Sequence, residues 1–285
     1  MKDLLNVDLI SINCVNAHAS AAALNYCQAH INFGKTILVT NQDIEVDNIE
    51  LHLIDKLNWN QYNDEVLHLI DHTDNDYVLV IQDDGHIVNP SLWDEEFLKY
   101  DYIGSPWPFE DSWIEKQLKE QRPIIRKVYP KNRVGNGGFS LRSKKFLEFS
   151  DSFKDCEGYG EDTFLCTRNY QMAVDAGIKF APFELATKFS YENPLIEYGT
   201  HWDQFDTKFD STKHFGWHGS NFANTAQLMS VKYLGDMAWT KGLYESISNR
   251  YSRFARSKLF QTSTREWSHC HRYGQFLRWI QGIPS

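Results

Sequence analysis

Residues Tyr77–Ile81 (YVLVI) form an unbroken apolar run that stops abruptly at Gln82-Asp83-Asp84-Gly85. A run of this kind suits a strand buried on both faces rather than one with a wet side. Val7–Val15 (VDLISINCV), rich in branched residues, and Thr36–Thr40 (TILVT) also suit buried strands, and Leu51–Ile54 (LHLI) is a shorter candidate. The segments between them read differently. His18–His30 is Ala-rich and favours helix, and Tyr62–Asp71 also reads as helix. Alternation of buried strands with helices predicts an α/β fold: a Rossmann-like, mostly parallel sheet flanked by helices. In such sheets ligands lie beyond the carboxyl ends of the strands. Cys14–His18 and Gln82–His86 therefore fall on one rim, where chemistry is expected.

The pattern changes after Asp101–Trp107 (DYIGSPW). Trp107–Pro130 mixes charge, aromatics and proline and reads as a long loop. Gly135–Arg142 (GNGGFSLR) reads as a glycine-rich turn entering a short strand. Phe146–Phe153 reads as a helix, as does Glu161–Ala176, closed by Gly177. Lys179–Phe189 reads as strand. Thr200–Asn221 reads as a loop holding His201, His214 and His218, and the last 55 or so residues as helices with an arginine-rich face. The expected division is a catalytic domain over 1–225 and a basic helical C-terminal extension over 226–285.

Charge and cysteine content narrow the function classes. The net charge is −9, which gives no basic footprint for nucleic acid. The charge is uneven: Lys241–Ser285 carries +6 and the first 240 residues −15. Within that tail Arg250–Arg256 interleaves arginine with aromatics, a pattern suited to an anionic membrane surface and equally to a solvated helical face or an oligomer contact. The five cysteines are odd in number and lack zinc-finger spacing, so reduced thiols in a cytoplasmic protein are expected. No run approaches about 18 apolar residues, and the opening residues lack a leader pattern. The expected location is the cytoplasm, including the inner face of its membrane.

Three short segments carry chemistry. Asp83-Asp84 at a strand end offers two carboxylates to Mg²⁺ or Mn²⁺, hard cations that share oxygen ligands with substrate phosphates. It is also an ordinary composition for a turn. The Gly135-Asn136-Gly137-Gly138 stretch lets backbone approach a ligand closely. It fits neither a P-loop nor a dinucleotide fingerprint. Arg142 beyond it suits either an acidic partner in the fold or a phosphate. Glu161-Asp162 at a helix start suits helix capping, and equally a carboxylate general base.

Taken in order, the acidic turn, DYIGSPW, GNGGFSLRS, GEDTF and FGWHG resemble a bacterial family of domains of unknown function assigned to the GT-A glycosyltransferase class. They are more distantly similar to the β-1,3-galactosyltransferase-like enzymes. The resemblance covers roughly Val7 to Phe222. It implies that Asp84 and Asp83 hold the metal, with His218 completing its shell or touching the diphosphate. It implies a donor pocket of Cys14, Asn16, His18, Gln82, Asn136, Gly137 and Gly138, with Trp107 near the acceptor. Asp162 would be the catalytic base and Glu161 would orient a hydroxyl. Where the family has Asp-x-Asp, this chain has Gln82-Asp83-Asp84-Gly85-His86, so which aspartate ligates the metal stays open.

The expected activity is Mn²⁺- or Mg²⁺-dependent, inverting transfer of a sugar from a nucleotide-diphosphate donor, UDP-linked by family habit. The acceptor would be a saccharide or lipid-linked saccharide in bacterial surface polysaccharide or lipopolysaccharide synthesis. Two other classes use the same residues. One is a metal-dependent phosphodiesterase or nucleotidyltransferase. The other is a catalytically silent sugar-binding module.

Overall fold

The computed structural model describes residues 2–107, 134–192 and 212–218. The loop expected from 108 to 130, His201, Cys270, the arginine–aromatic tail and the helical extension over 226–285 lie outside the described residues.

In chain order the strands are β1 (Lys2–Leu4), β2 (Val7–Ile12), β3 (Ile31–Phe33), β4 (Thr36–Thr40), β5 (Glu50–Leu53), β6 (Tyr77–Ile81), β7 (His86–Ile87), β8 (Tyr102–Gly104), β9 (Phe139–Ser143), β10 (Ser190–Tyr191) and β11 (Gly216–Trp217). The helices are α1 (Ala17–Gln28), α2 (Trp59–Leu67), α3 (Lys144–Asp151), α4 (Glu161–Thr163), α5 (Tyr170–Asp175) and α6 (Phe183–Phe189). A 3₁₀ turn, Leu69–His72, follows α2, and a π-helical turn, Phe164–Arg168, joins α4 to α5.

Six strands form the central sheet in the order β5-β4-β2-β6-β9-β8. The pairs β5–β4, β4–β2 and β2–β6 are parallel. β9 runs against both of its neighbours, β6 and β8. The protein is thus α/β with a mostly parallel sheet. Alternation along each strand sends side chains to opposite faces. Leu9, Leu38, Leu79 and Leu141 join α1 residues such as Leu24 and Cys27 in one core. Ile10, Ile37, Val39, Val78 and Val80 join Val66, Leu69 and Leu147 in another. Burial on both faces is why these strands read as continuous apolar runs.

β2 pairs with β4 on one side and β6 on the other. The chain reverses its direction of travel across the sheet there, so a crevice opens beyond the carboxyl ends of β2 and β6. A smaller sheet, β10-β11-β7, completes this end. β7 follows the Asp84-Gly85 turn directly, and Trp217 of β11 pairs with its His86.

Two expected elements differ. Lys179–Phe189 is not a strand. Phe180 makes a single bridge to Tyr102, and the chain then forms α6 before entering β10. Pro182 caps α6, and Leu185, Ala186 and Phe189 fall on one helical face turned into the core. The expected helix over Glu161–Ala176 exists, but its regular turns are broken by the π-helical segment.

Candidate active site

β6 delivers Gln82 through Gly85 to the rim as a tight turn, closed by Gly85 N–H donating to the Gln82 carbonyl at 2.9 Å. The Gln82 N–H donates to the Gly138 carbonyl at 2.9 Å, so the acidic turn and the glycine-rich segment are tied together. Asp84 is buried, and its Oδ1 lies 3.5 Å from His218 Nε2. The same imidazole nitrogen is 3.2 Å from Gln82 Oε1, and Gln82 Nε2 donates to Tyr62 Oη at 2.9 Å. On its other side, His218 Nδ1 is 3.5 Å from Glu192 Oε1. Glu192 also accepts from Asn136 Nδ2, and Asn136 Oδ1 accepts from the Gly138 N–H at 3.1 Å. Asp84, His218, Glu192 and Asn136 therefore form a continuous polar row.

The glycines make this row possible. A Cβ on Gly138 would overlap the His218 ring, and one on Gly137 would overlap the Glu161 carboxylate. Only hydrogen at these positions lets backbone lie this close to both groups.

Glu161 is 7% exposed and Arg142 1%. Their charges meet at 2.6 Å, Nη2 to Oε1. Arg142 also donates Nε to Ser140 Oγ at 3.0 Å, and its guanidinium lies 5.5 Å from the Tyr102 ring centroid. Breaking one partner of such a buried pair leaves an uncompensated charge. Glu161 thus anchors the floor of the site through the cation that the sequence left open between two partners. The Glu161 N–H is held by Asn63 Oδ1 at 2.9 Å, which ties α4 to α2.

Asp162, the next residue, meets a backbone N–H of the same glycine turn. Its Oδ2 accepts from the Gly137 N–H at 3.3 Å and its Oδ1 from the Thr163 N–H at 2.5 Å. Burial, reinforced by the negative charge of Glu161 and then opposed by these two N–H groups, pushes its pKa up to about 7. Asp162 touches Gly137 while His218 lies over Gly138. Consecutive Cα atoms are about 3.8 Å apart. The perturbed carboxylate and the Asp84–His218 pair thus flank one peptide unit.

The other expected residues are spread along the rim. The Asn16 side chain caps α1, accepting from the Ala19 N–H at 3.2 Å. The Cys14 thiol is buried against the Asp55 carbonyl at 3.9 Å, and His18 is exposed. Trp107 is buried, with its ring over Gly135 and against Cys166 and Phe164 in a separate core. Asp83 is partly exposed in the turn. His214 lies away from this row, its Nδ1–H donating to the Thr187 carbonyl at 2.6 Å. Glu192 is the participant that sequence reasoning missed. It stands alone before Asn193-Pro194, with no motif around it, and only the pairing of β10 with β11 brings it to His218.

Among the described residues, no group of three or more His, Cys, Asp or Glu side chains forms a complete metal cage. The Asp84–His218 pair fits part of one. Two adjacent ligands at bonds of about 2.1 Å lie roughly 3 Å apart around an octahedral ion. A spacing of 3.5 Å leaves an ion room to draw them in. Mg²⁺ and Mn²⁺ sites commonly take one or two protein ligands and fill the rest with water and phosphate oxygens.

No curated protein matches the sequence. Among solved structures, the chain is similar to the galactosyltransferase LgtC in complex with donor and acceptor sugar analogs. That match has 13% identity over 82% of this chain and 99% of that one, with a TM-score of 0.45. It is similar to mouse xyloside xylosyltransferase 1 in its apo form, at 13% identity over 76% and 97% of the two chains, TM-score 0.41. It is also similar to the bifunctional IspDF from Campylobacter jejuni, at 12% identity over 61% and 48%, TM-score 0.38. Residue roles do not transfer at such distances. The family model described as "Protein of unknown function (DUF5672)" matches residues 58–205, a span from α2 past Asp84, the glycine-rich turn, Glu161-Asp162 and Glu192, and the chain belongs to that family.

Proposed function

We propose that this protein is a GT-A-type glycosyltransferase that uses a divalent cation and a nucleotide-diphosphate sugar, UDP-linked in the first instance. The observation that carries the reading is the single peptide unit Gly137–Gly138, flanked by a carboxylate of pKa about 7 and by the Asp84–His218 pair. Sugar transfer needs both functions within one sugar's width. Asp84 and His218, with Asp83 beside them, would hold Mn²⁺ or Mg²⁺, which supplies charge neutralisation for the departing diphosphate. Asp162 takes the proton from the acceptor hydroxyl as its oxygen attacks the anomeric carbon, and the bond to the diphosphate oxygen breaks. One displacement inverts the anomeric centre. A pKa near neutrality suits a base that must be ionised yet still proton-seeking at working pH. Asn136, Gly137 and Gly138 would line the donor sugar, and Glu161 acts from beneath through Arg142. In this reading Cys14, Asn16 and His18 would bound the nucleotide side of the crevice, and Trp107, packed over Gly135, would shape the acceptor side from within the core. The resemblance in sequence extends this to saccharide or lipid-linked acceptors of bacterial surface polysaccharide, with the basic tail meeting the inner membrane leaflet.

The test is turnover of a panel of nucleotide sugars by the full chain with Mn²⁺. Asp84→Ala is expected to abolish metal-dependent donor binding. Asp162→Asn is expected to keep donor binding and lower transfer by about 10²–10⁴-fold. Full transfer by Asp162→Asn, or turnover of nucleoside triphosphates in place of nucleotide sugars, overturns the proposal.

A further inference from the structure

Glu192 is held in two directions at once. It follows β10 directly, in a place fixed by the small sheet. Ser190 pairs with Gly216 and Tyr191 with Trp217 in parallel register, so Glu192 and His218 are the next residues along the two strands. The His218 N–H donates to the Tyr191 carbonyl at 2.9 Å, and the Tyr191 and Trp217 rings stack with centroids 5.3 Å apart. Ser105 Oγ donates to Ser190 Oγ at 2.7 Å, which ties β10 to the chain after β8. One carboxylate oxygen of Glu192, Oε2, accepts from Asn136 Nδ2, and the other, Oε1, lies 3.5 Å from His218 Nδ1. The Asn136 amide is oriented by its own Oδ1, which accepts from the Gly138 N–H at 3.1 Å. Glu192 therefore joins the glycine-rich turn to one edge of the His218 ring.

The two nitrogens of that ring face different neighbours. Nε2 lies 3.2 Å from Gln82 Oε1 and 3.5 Å from Asp84 Oδ1, while Nδ1 faces Glu192. A neutral imidazole carries hydrogen on one nitrogen and a lone pair on the other. To share a cation with Asp84, His218 must present the lone pair at Nε2 and keep the hydrogen on Nδ1. A carboxylate facing Nδ1 selects this form, because it accepts from an N–H and repels a lone pair. It also fixes the plane of the ring and makes the ligating nitrogen a stronger donor. The Glu192 and His218 side chains are 19% and 12% exposed, so water screens the contact only in part. Glu192 meets a different nitrogen from the one that meets Asp84, so its part is to support the ring rather than to share the cation.

We infer that Glu192 is a positioning residue: it holds the His218 hydrogen on Nδ1 and turns Nε2 toward Asp84, and through Asn136 it locks that ring to the glycine-rich turn. The inference rests on the proposed Asp84–His218 cation site. The test is titration of the full chain with MnCl₂ in the presence of UDP, with free Mn²⁺ read by electron paramagnetic resonance against UDP alone. The parent is expected to bind one equivalent and Asp84→Ala to return to the UDP blank. Glu192→Gln keeps the size of the side chain and an oxygen for Asn136 but loses the charge behind the ring. Its Mn²⁺ affinity should fall about 10–100-fold while its melting temperature without metal stays that of the parent. Glu192→Asp, which keeps the charge, should recover part of the affinity. In the parent loaded with Mg²⁺ and UDP, nitrogen-correlated NMR should place the His218 hydrogen on Nδ1, the signal being identified by its loss in His218→Gln. Parent-like affinity in a folded Glu192→Gln, with binding lost in Asp84→Ala, overturns the inference and leaves the cation site standing. Equal behaviour of the parent and Asp84→Ala overturns both. If Glu192→Gln fails to fold, the NMR decides, and a hydrogen on Nε2 overturns the inference.

Discussion

Glu161 and Asp162 are consecutive acids that the fold assigns to opposite surroundings. Glu161 points down to Arg142 and is neutralised by it. Asp162 points to the Gly137 N–H with no cation bonded to it among the described residues, and its pKa rises from about 3.8 to about 7. Between those values the folded protein holds a proton that the unfolded chain has released. The stabilising contribution of this group is therefore complete below about pH 4 and is lost as pH rises through about 7. Asp162→Asn cannot ionise and escapes that loss. Its melting temperature relative to the parent is expected to be higher by a few degrees at pH 8 than at pH 5. Transfer by the parent should rise with pH and level off above about 7. Differential scanning fluorimetry and initial rates over pH 5–9 check both. A difference in melting temperature that does not change with pH would show that Asp162 ionises at its ordinary pKa.

At the scale of elements, the glycine-rich turn before β9 is the part that joins the two halves of the site. It hydrogen-bonds the acidic turn after β6, lies under the ring of His218, the residue after β11, and touches both acids of α4. A methyl group at position 138 has nowhere to go but into that ring. Gly138→Ala is expected to push His218 away from Asp84 and lower kcat/KM about 10²-fold, the usual penalty for displacing a catalytic group by an ångström. The Mn²⁺ requirement should rise with it, measured by rates over a metal titration. Parent-like kinetics in a folded Gly138→Ala would mean that the row of Asp84, His218 and Glu192 does not act in catalysis. The π-helical turn Phe164–Arg168 begins two residues after Asp162, and such wide turns commonly reset a helix near functional groups.

At the scale of the whole molecule, the parallel strands form the crevice and the small sheet brings His218 and Glu192 beside Asp84. The crevice beyond β2 and β6 lies between the α1 start and the acidic turn, where a nucleotide is expected. Hydrogen exchange with UDP and Mn²⁺ present should slow at residues 13–18 and 82–86 and leave 50–54 unchanged. Protection confined to other regions would move the donor site. Much of this was legible in the sequence. Tyr77–Ile81 and Thr36–Thr40 are strands with the expected bounds, because a strand buried on both faces shows its burial in every residue. Asp83-Asp84, the glycine turn and Glu161-Asp162 were legible because each is local. Lys179–Phe189 was misread because α6 is only seven residues long and its apolar face becomes evident only against the core. The sequence alone therefore determined the α/β class, the rim and the residue types placed on it, since those follow from near-neighbour patterns. Which acid is neutralised, which is perturbed, and that Glu192 and His218 meet Asp84 were decided only by the tertiary structure. Each of those facts depends on contacts between residues 19 to 134 positions apart, such as Arg142 with Glu161 and Asp84 with His218, and no local pattern records them.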